Sequence, residues 1–232
     1  MTKTKLIVAL DFSSKEKALK VVDLLGESVE WYKVGKQLFT LEGAAIVRAL
    51  KERGKKVFLD LKFHDIPNTV AQAVASSLTI GADMVNFHAS GGSEMMKTTV
   101  TKNKETHPNS LFIAVTILTS MGQETLDEVA MQGTPAEAVL RLARLTKASG
   151  ANGVVCSAWE IDQIKEACGS DFMVVVPGIR PKGAAVNDQK RIMTPSEAAA
   201  KGADYIVVGR PITQADDMKA AAEAVLAELA GE

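Results

Sequence analysis

Cysteine is scarce in this chain. Two residues in 232, Cys156 and Cys168, have no C-x-x-C spacing, which excludes a disulfide framework and suggests reduced thiols filling core or surface. An excess of charge of one sign is also missing. Lys and Arg number 27 against 28 Asp and Glu, a formal charge of -1, so nothing favours a nucleic-acid or anionic-membrane partner. No apolar run approaches the length of a membrane span. The run at residues 6–10 is too short for a signal-peptide core and is followed at once by Asp11, so a cytoplasmic location is expected. The histidines His64, His88 and His107 show no metal-ligand spacing, and neither H-E-x-x-H nor an EF-hand loop is present, so no metal is expected. No G-x-S-x-G elbow occurs, and Ser120 and Ser157 lack a clear triad. The first apolar run ends in Leu10-Asp11-Phe12 without a following G-x-G-x-x-G, which disfavours a dinucleotide-binding sheet.

What is present is a regular alternation. With 47% apolar and 24% charged residues, the chain can fill a sizeable core as one domain spanning 1–232. Apolar, β-branched runs recur at residues 6–10, 31–34, 57–61, 84–87, 111–118, 153–156, 172–176 and 205–208. Between them lie helical spacings such as Ala18, Val21, Val22 and Leu25, or Val70, Ala73, Val74 and Leu78. Gly81-Ala82-Asp83, Gly150-Ala151-Asn152 and Gly202-Ala203-Asp204 each read as a left-handed glycine ending a helix before a short turn into a strand. Eight βα units with parallel pairing, at close to the typical length of about 250 residues, predict an α/β fold of the (β/α)8 TIM-barrel type.

Barrel chemistry sits at the C-terminal strand ends. Those ends carry Asp11, Lys33, Asp60 with Lys62, His88, Thr119 with Ser120, Ser157, Arg180, and Gly209 with Arg210. The densest stretch is Asp60-Leu61-Lys62-Phe63-His64-Asp65-Ile66-Pro67-Asn68-Thr69. Alternation puts Phe58, Asp60 and Lys62 on one strand face and Val57, Leu59 and Leu61 on the other. Charges this dense on an apolar strand form either a structural ion pair or a catalytic site, and the clustering favours the second. Pro67 ends the extended segment, with Asn68 or Thr69 available as a helix cap. Asp11 could cap a helix starting near Ser13 or bind a sugar hydroxyl, and Lys33 either snorkels at the rim or points into the site. The two elements Pro177-Gly178-Ile179-Arg180 and Val208-Gly209-Arg210 end strands seven and eight, where many barrels hold a phosphate. Two connections, 119–135 and 180–195, are long enough for lids or binding loops, and Gln189 in the second could fold over the same ligand.

Taken together, Asp60-x-Lys62-x-x-Asp65-Ile66-Pro67-Asn68-Thr69, Ala9-Leu10-Asp11, Lys33-Val34-Gly35, Pro177-Gly178-Ile179-Arg180 and Val208-Gly209-Arg210 closely resemble the bacterial orotidine 5'-monophosphate decarboxylases, from the first strand to the last. The resemblance implies a (β/α)8 barrel that converts orotidine 5'-monophosphate to UMP in pyrimidine synthesis, with no metal or organic cofactor. It implies that Lys62 donates a proton to C6 as carbon dioxide leaves, that Asp60 lies beside the substrate carboxylate, and that Lys33 bridges Asp60 and the ribose. It further implies ribose binding by Asp11, pyrimidine contacts from Thr119 and Ser120, and phosphate binding by Gln189, Arg210 and the Gly209 amide, with Arg180 on that side. Asp65 and Thr69 would reach into a neighbouring subunit's site, making a homodimer with shared active sites. Metal-dependent relatives, a keto-gulonate-phosphate decarboxylase and a hexulose-phosphate synthase, resemble one another in a carboxylate at the strand-two position, where this chain has Lys33. A silent sugar-phosphate-binding barrel has no need for Asp60, Lys62 and Asp65 together. An aldolase using Lys62 as a Schiff base would need a better nucleophile than a lysine held between carboxylates.

Overall fold

Alternation along the strands divides their apolar residues into two sets. Ile7, Ala9, Trp31, Phe58, Met84, Ile113, Val175, Tyr205 and Val207 fill the interior of a ring of strands, while Val8, Val57, Leu59, Val85, Val174 and Ile206 face outward against helices. The computed structural model describes residues 4–181 and 193–231. Its strands are β1 (Lys5–Ala9), β2 (Trp31–Gly35), β3 (Lys56–Phe63), β4 (Met84–His88), β5 (Leu111–Val115), β6 (Gly153–Val155), β7 (Met173–Pro177) and β8 (Tyr205–Val208). They pair in parallel in chain order, and β8 returns to β1, so the sheet has no edge. This is the (β/α)8 TIM barrel, with the helices as an outer layer. Trp31 and Tyr205 meet edge to face inside, with ring centroids 5.3 Å apart, near the end where the strands begin.

The helix starting after strand one runs Lys15–Leu25 and buries Ala18, Val21, Val22 and Leu25, as its spacing requires. The three Gly-Ala-Asp/Asn signals do more than end helices. Gly81, Gly150 and Gly202 have positive φ, and the acidic or amide side chain that follows ties back to the preceding strand. Asp83 Oδ2 accepts from Val57 N, Asn152 Oδ1 from Phe112 N, and Asp204 Oδ2 from Val174 N, at 2.8, 2.9 and 2.8 Å. Each side chain thus satisfies a backbone donor at the start of β3, β5 or β7 and sets the register there.

Several boundaries differ from the sequence reading. The fifth strand, expected over 111–118, ends at Val115, because the Thr116 hydroxyl and N–H both turn to the Val155 carbonyl. The seventh is shifted by one, to Met173–Pro177. Neither Asn68 nor Thr69 caps the helix Pro67–Thr79. Ile66 holds the cap position, Pro67 supplies the first helical residue, and Asn68 Oδ1 accepts from Lys102 Nζ. The connection 119–135 is not without structure, since Gln123–Glu128 forms a short helix that buries Leu126.

Candidate active site

The ends of β1, β2 and β3 bring four charged side chains into one line. Lys33 Nζ lies 2.9 Å from Asp11 Oδ1 and 3.4 Å from Asp60 Oδ2, and Lys62 Nζ lies 2.5 Å from Asp60 Oδ1. Charge alternates along the line Asp11, Lys33, Asp60, Lys62. Exposure falls toward its centre: 61% for the Asp11 side chain, 12% for Lys33 and 11% for Asp60, with Lys62 at 24%. Asp11 is therefore not a helix cap, and Ser14 takes that role. Lys33 points into the site rather than to the rim.

Burial alone would push the Lys33 amine down, but the Asp60 and Asp11 carboxylates together hold it above its usual value. Burial would likewise raise Asp60, but the Lys33 and Lys62 ammonium groups, with hydrogen bonds from Lys62 and Asn86, hold its carboxyl below the usual range. Opposite charges in reach of one another thus keep both groups ionised in a largely dry place.

Two cavities meet at Lys33. One, of about 290 Å³, has Lys33, Asp60 and Lys62 on one side and Val115, Ile117, Val155, Val175 and Val207 on the other, with Thr119 and Ser120 at its mouth. The second, of about 410 Å³, is bordered by Asp11, Gly178, Arg180, Gly209, Arg210 and Gln214. The first suits a flat ring with a reacting polar edge, and the second an anion with hydroxyl groups beside it. Arg180 is buried, its N–H bonded to the Met193 carbonyl. Arg210 opens a one-turn helix behind Gly209. A larger cavity, about 610 Å³, lies at the opposite end of the barrel, where Lys165 and Asp204 already satisfy each other.

The sequence profile of the "Orotidine 5'-phosphate decarboxylase / HUMPS family" matches residues 4–225. The chain belongs to this family. A protein of Pseudoalteromonas atlantica named orotidine 5'-phosphate decarboxylase is 50% identical over 233 residues, covering 99% of this chain and 100% of the relative. One of the same name from Nitrosococcus oceani is 47% identical over 231 residues, covering 99% of both. The crystal structure of orotidine 5'-phosphate decarboxylase from Lactobacillus acidophilus superimposes with a TM-score of 0.86 at 40% identity, over 97% of this chain and 98% of that one. That of the enzyme from Pyrococcus horikoshii gives 0.78 at 27% identity, over 98% and 100%.

Within this family frame, the structure brings together Asp11, Lys33, Asp60 and Lys62, and places Thr119, Ser120, Arg180, Gly209 and Arg210 around the same two cavities. It does not bring Asp65 and Thr69 to Lys62. Both are exposed, and Asp65 Oδ1 accepts from the N–H of its neighbour Ile66. Gln189 lies outside the described residues. Sequence reading missed Asn86, Gln214 and the valine-rich wall. Asn86 was detectable in principle: an amide between Val85 and Phe87 on a strand expected to be buried needs partners.

His88, at the end of β4, tilts against His64 with ring centroids 5.6 Å apart. Burial first, then the neighbouring His64, Lys62 and Lys36, push its imidazole down to about 4 from an ordinary 6.5. The unfolded chain therefore binds the extra proton between those values, and stability rises with pH across that window. Lowering the pH from about 7 to about 5 is expected to cost about 1 kcal/mol through this ring, allowing for its partial exposure. Urea unfolding of wild type and His88→Asn across that range checks it. Identical pH slopes for the two proteins would remove His88 from the account.

Proposed function

We propose that this chain decarboxylates orotidine 5'-monophosphate to UMP, as a cytoplasmic, one-domain enzyme with no metal or organic cofactor. The observation that carries the reading is the alternating line Asp11, Lys33, Asp60, Lys62 beside an apolar wall. The pyrimidine lies in the smaller cavity with C6 toward Lys62, the ribose hydroxyls at Asp11 and Lys33, and the phosphate against Arg210, the Gly209 amide and Arg180. Thr119 and Ser120 contact the pyrimidine from the cavity mouth, and Gln189 joins the phosphate contacts from outside the described residues.

The bond between C6 and the carboxylate breaks, carbon dioxide leaves, and the electron pair stays on C6. No carbonyl is placed to delocalise it, so fixed charge and a nearby proton must lower the barrier. The Lys62 ammonium does both, and its proton passes to C6, after which solvent restores it. Asp60 faces the departing carboxylate and holds Lys62 in place. Destabilisation of the bound substrate by Asp60 is part of the reading. Phosphate binding far from C6 supplies the energy for assembling the site.

Lys33 at the strand-two position separates this reading from the metal-dependent sugar-phosphate members of the family, for which the resemblance implies a carboxylate there. A homodimer with shared sites accounts for Asp65 and Thr69, which face solvent beside an Ile66 that is 67% exposed. In the dimer they enter the neighbouring subunit's site.

The test is the loss of orotidine 5'-monophosphate absorbance with purified protein in EDTA. Steady conversion to UMP is the expected result. Absence of turnover by folded protein, even after magnesium is restored, would refute the assignment and point to the sugar-phosphate chemistries.

A further inference from the structure

Lys62 is held by an unusual backbone. Among the described residues it is one of two non-glycine residues with positive φ, at 55°, a conformation costing about 1–2 kcal/mol in an L-residue. The cause lies in the pairing of β3 with β4. Leu59 pairs with Val85 and Phe63 with Phe87, so four steps along β3 match two along β4. Two extra residues are accommodated between these pairs, and the ladder alone does not hold them.

Asn86 stands between the paired residues Val85 and Phe87 and is fully buried. Its Oδ1 accepts from Lys62 N at 2.8 Å, and its Nδ2 donates to Asp60 Oδ1 at 2.7 Å, the same oxygen that meets Lys62 Nζ. A backbone N–H can only donate and an ionised carboxylate can only accept, so one orientation of the amide satisfies both. Aspartate cannot reproduce the pair of bonds while ionised, and an aliphatic side chain can make neither.

We infer that Asn86 is a positioning residue for the decarboxylation proposed above. Its amide clamps the bulge so that the Lys62 ammonium and the Asp60 carboxylate face the reacting carbon together. The inference rests on that reading for its activity arm only. Asn86 acts through Lys62 and Asp60 and need not touch substrate. Phosphate and ribose contacts lie on other strands, so its loss separates chemistry from binding. The charged groups facing Asp60 are Lys33 from β2 and Lys62 from β3, with His88 of β4 and His64 nearby. Removing the Asn86 hydrogen bond takes away one of the supports for the ionised Asp60, and the acid limb of the rate profile moves to higher pH.

The test uses Asn86→Leu, close in volume, and Asn86→Asp, which keeps an acceptor for Lys62 N but no donor for Asp60. Misplacing a reacting group by about 1 Å costs on the order of 100-fold, and a fall in kcat of that size is expected in both, with UMP affinity nearly unchanged and the acid limb raised. A folded variant with kcat within about threefold of wild type, or an equal loss in kcat and UMP affinity, contradicts the inference. Failure of both variants to fold assigns Asn86 to the core and also contradicts it. A crystal structure of the better-folded variant tests the clamp without reference to activity. Lys62 leaving the left-handed region supports it, and an unmoved Lys62 refutes it. If wild type itself does not decarboxylate the nucleotide, the functional reading fails and this structural arm still decides the clamp.

Discussion

Replacing Lys62 by alanine is expected to lower kcat by about 10^4-fold or more, because in the proposed mechanism it removes a proton donor worth roughly 10^2- to 10^4-fold and a fixed charge worth roughly 10^2- to 10^3-fold. The fold should survive. Asp60 keeps Lys33 at 3.4 Å and the Asn86 amide at 2.7 Å, so no buried charge is stranded. Steady-state decarboxylation and thermal unfolding of the same preparation provide the check. A variant that folds with kcat within about tenfold of wild type would remove Lys62 from the proton-transfer step.

Replacing Asp60 by alanine should damage both activity and stability. Its carboxylate is the common partner of Lys33 and Lys62, and stranding buried cations typically costs about 3–5 kcal/mol. Lys62 is partly exposed and can regain water, and Lys33 keeps Asp11, so about 2–3 kcal/mol is the expected loss. In a chain of this size that lowers Tm by roughly 5–10 °C. The activity loss is expected near 10^3-fold. The pH dependence has a definite sign. Asp60 is held below the usual carboxylate range in the fold, so its contribution is present above the unfolded value and disappears as pH falls through the folded one. The stability gap between wild type and Asp60→Ala should therefore close at the acid end. A gap that stays constant down to that end would show that the charge of Asp60 is not what stabilises the site.

Much of the candidate site is legible in the sequence. Asp11, Lys33, Asp60, Lys62, Gly209 and Arg210 each follow an apolar run, or lie near its end, at the position where a barrel displays its chemistry. A polar residue there can be found by counting along one strand. Asn86 escapes that count because an uncharged amide between Val85 and Phe87 reads as a fault in a buried strand rather than as a clamp. The bulge escaped for a related reason: alternation predicts that Asp60 and Lys62 share a face, but not that two residues of β3 lack counterparts on β4. The helix Gln123–Glu128 is hidden by its length, since fewer than two turns give no readable period.

The sequence by itself determined the βα repeat, the parallel barrel and the end of it that carries charge. These follow from side-chain periodicity, strand order and chirality, which are local properties of the chain. Only the tertiary structure decided which charges meet. The Asp11–Lys33 contact spans 22 residues and the Asn86–Asp60 contact spans 26, and each depends on the register between neighbouring strands of a closed ring. Register is set by the summed packing of both faces of the sheet and by clasps such as Asp83 on Val57. No single stretch of sequence contains that sum, so the alternating line of charge and its amide clamp exist only once the ring has closed.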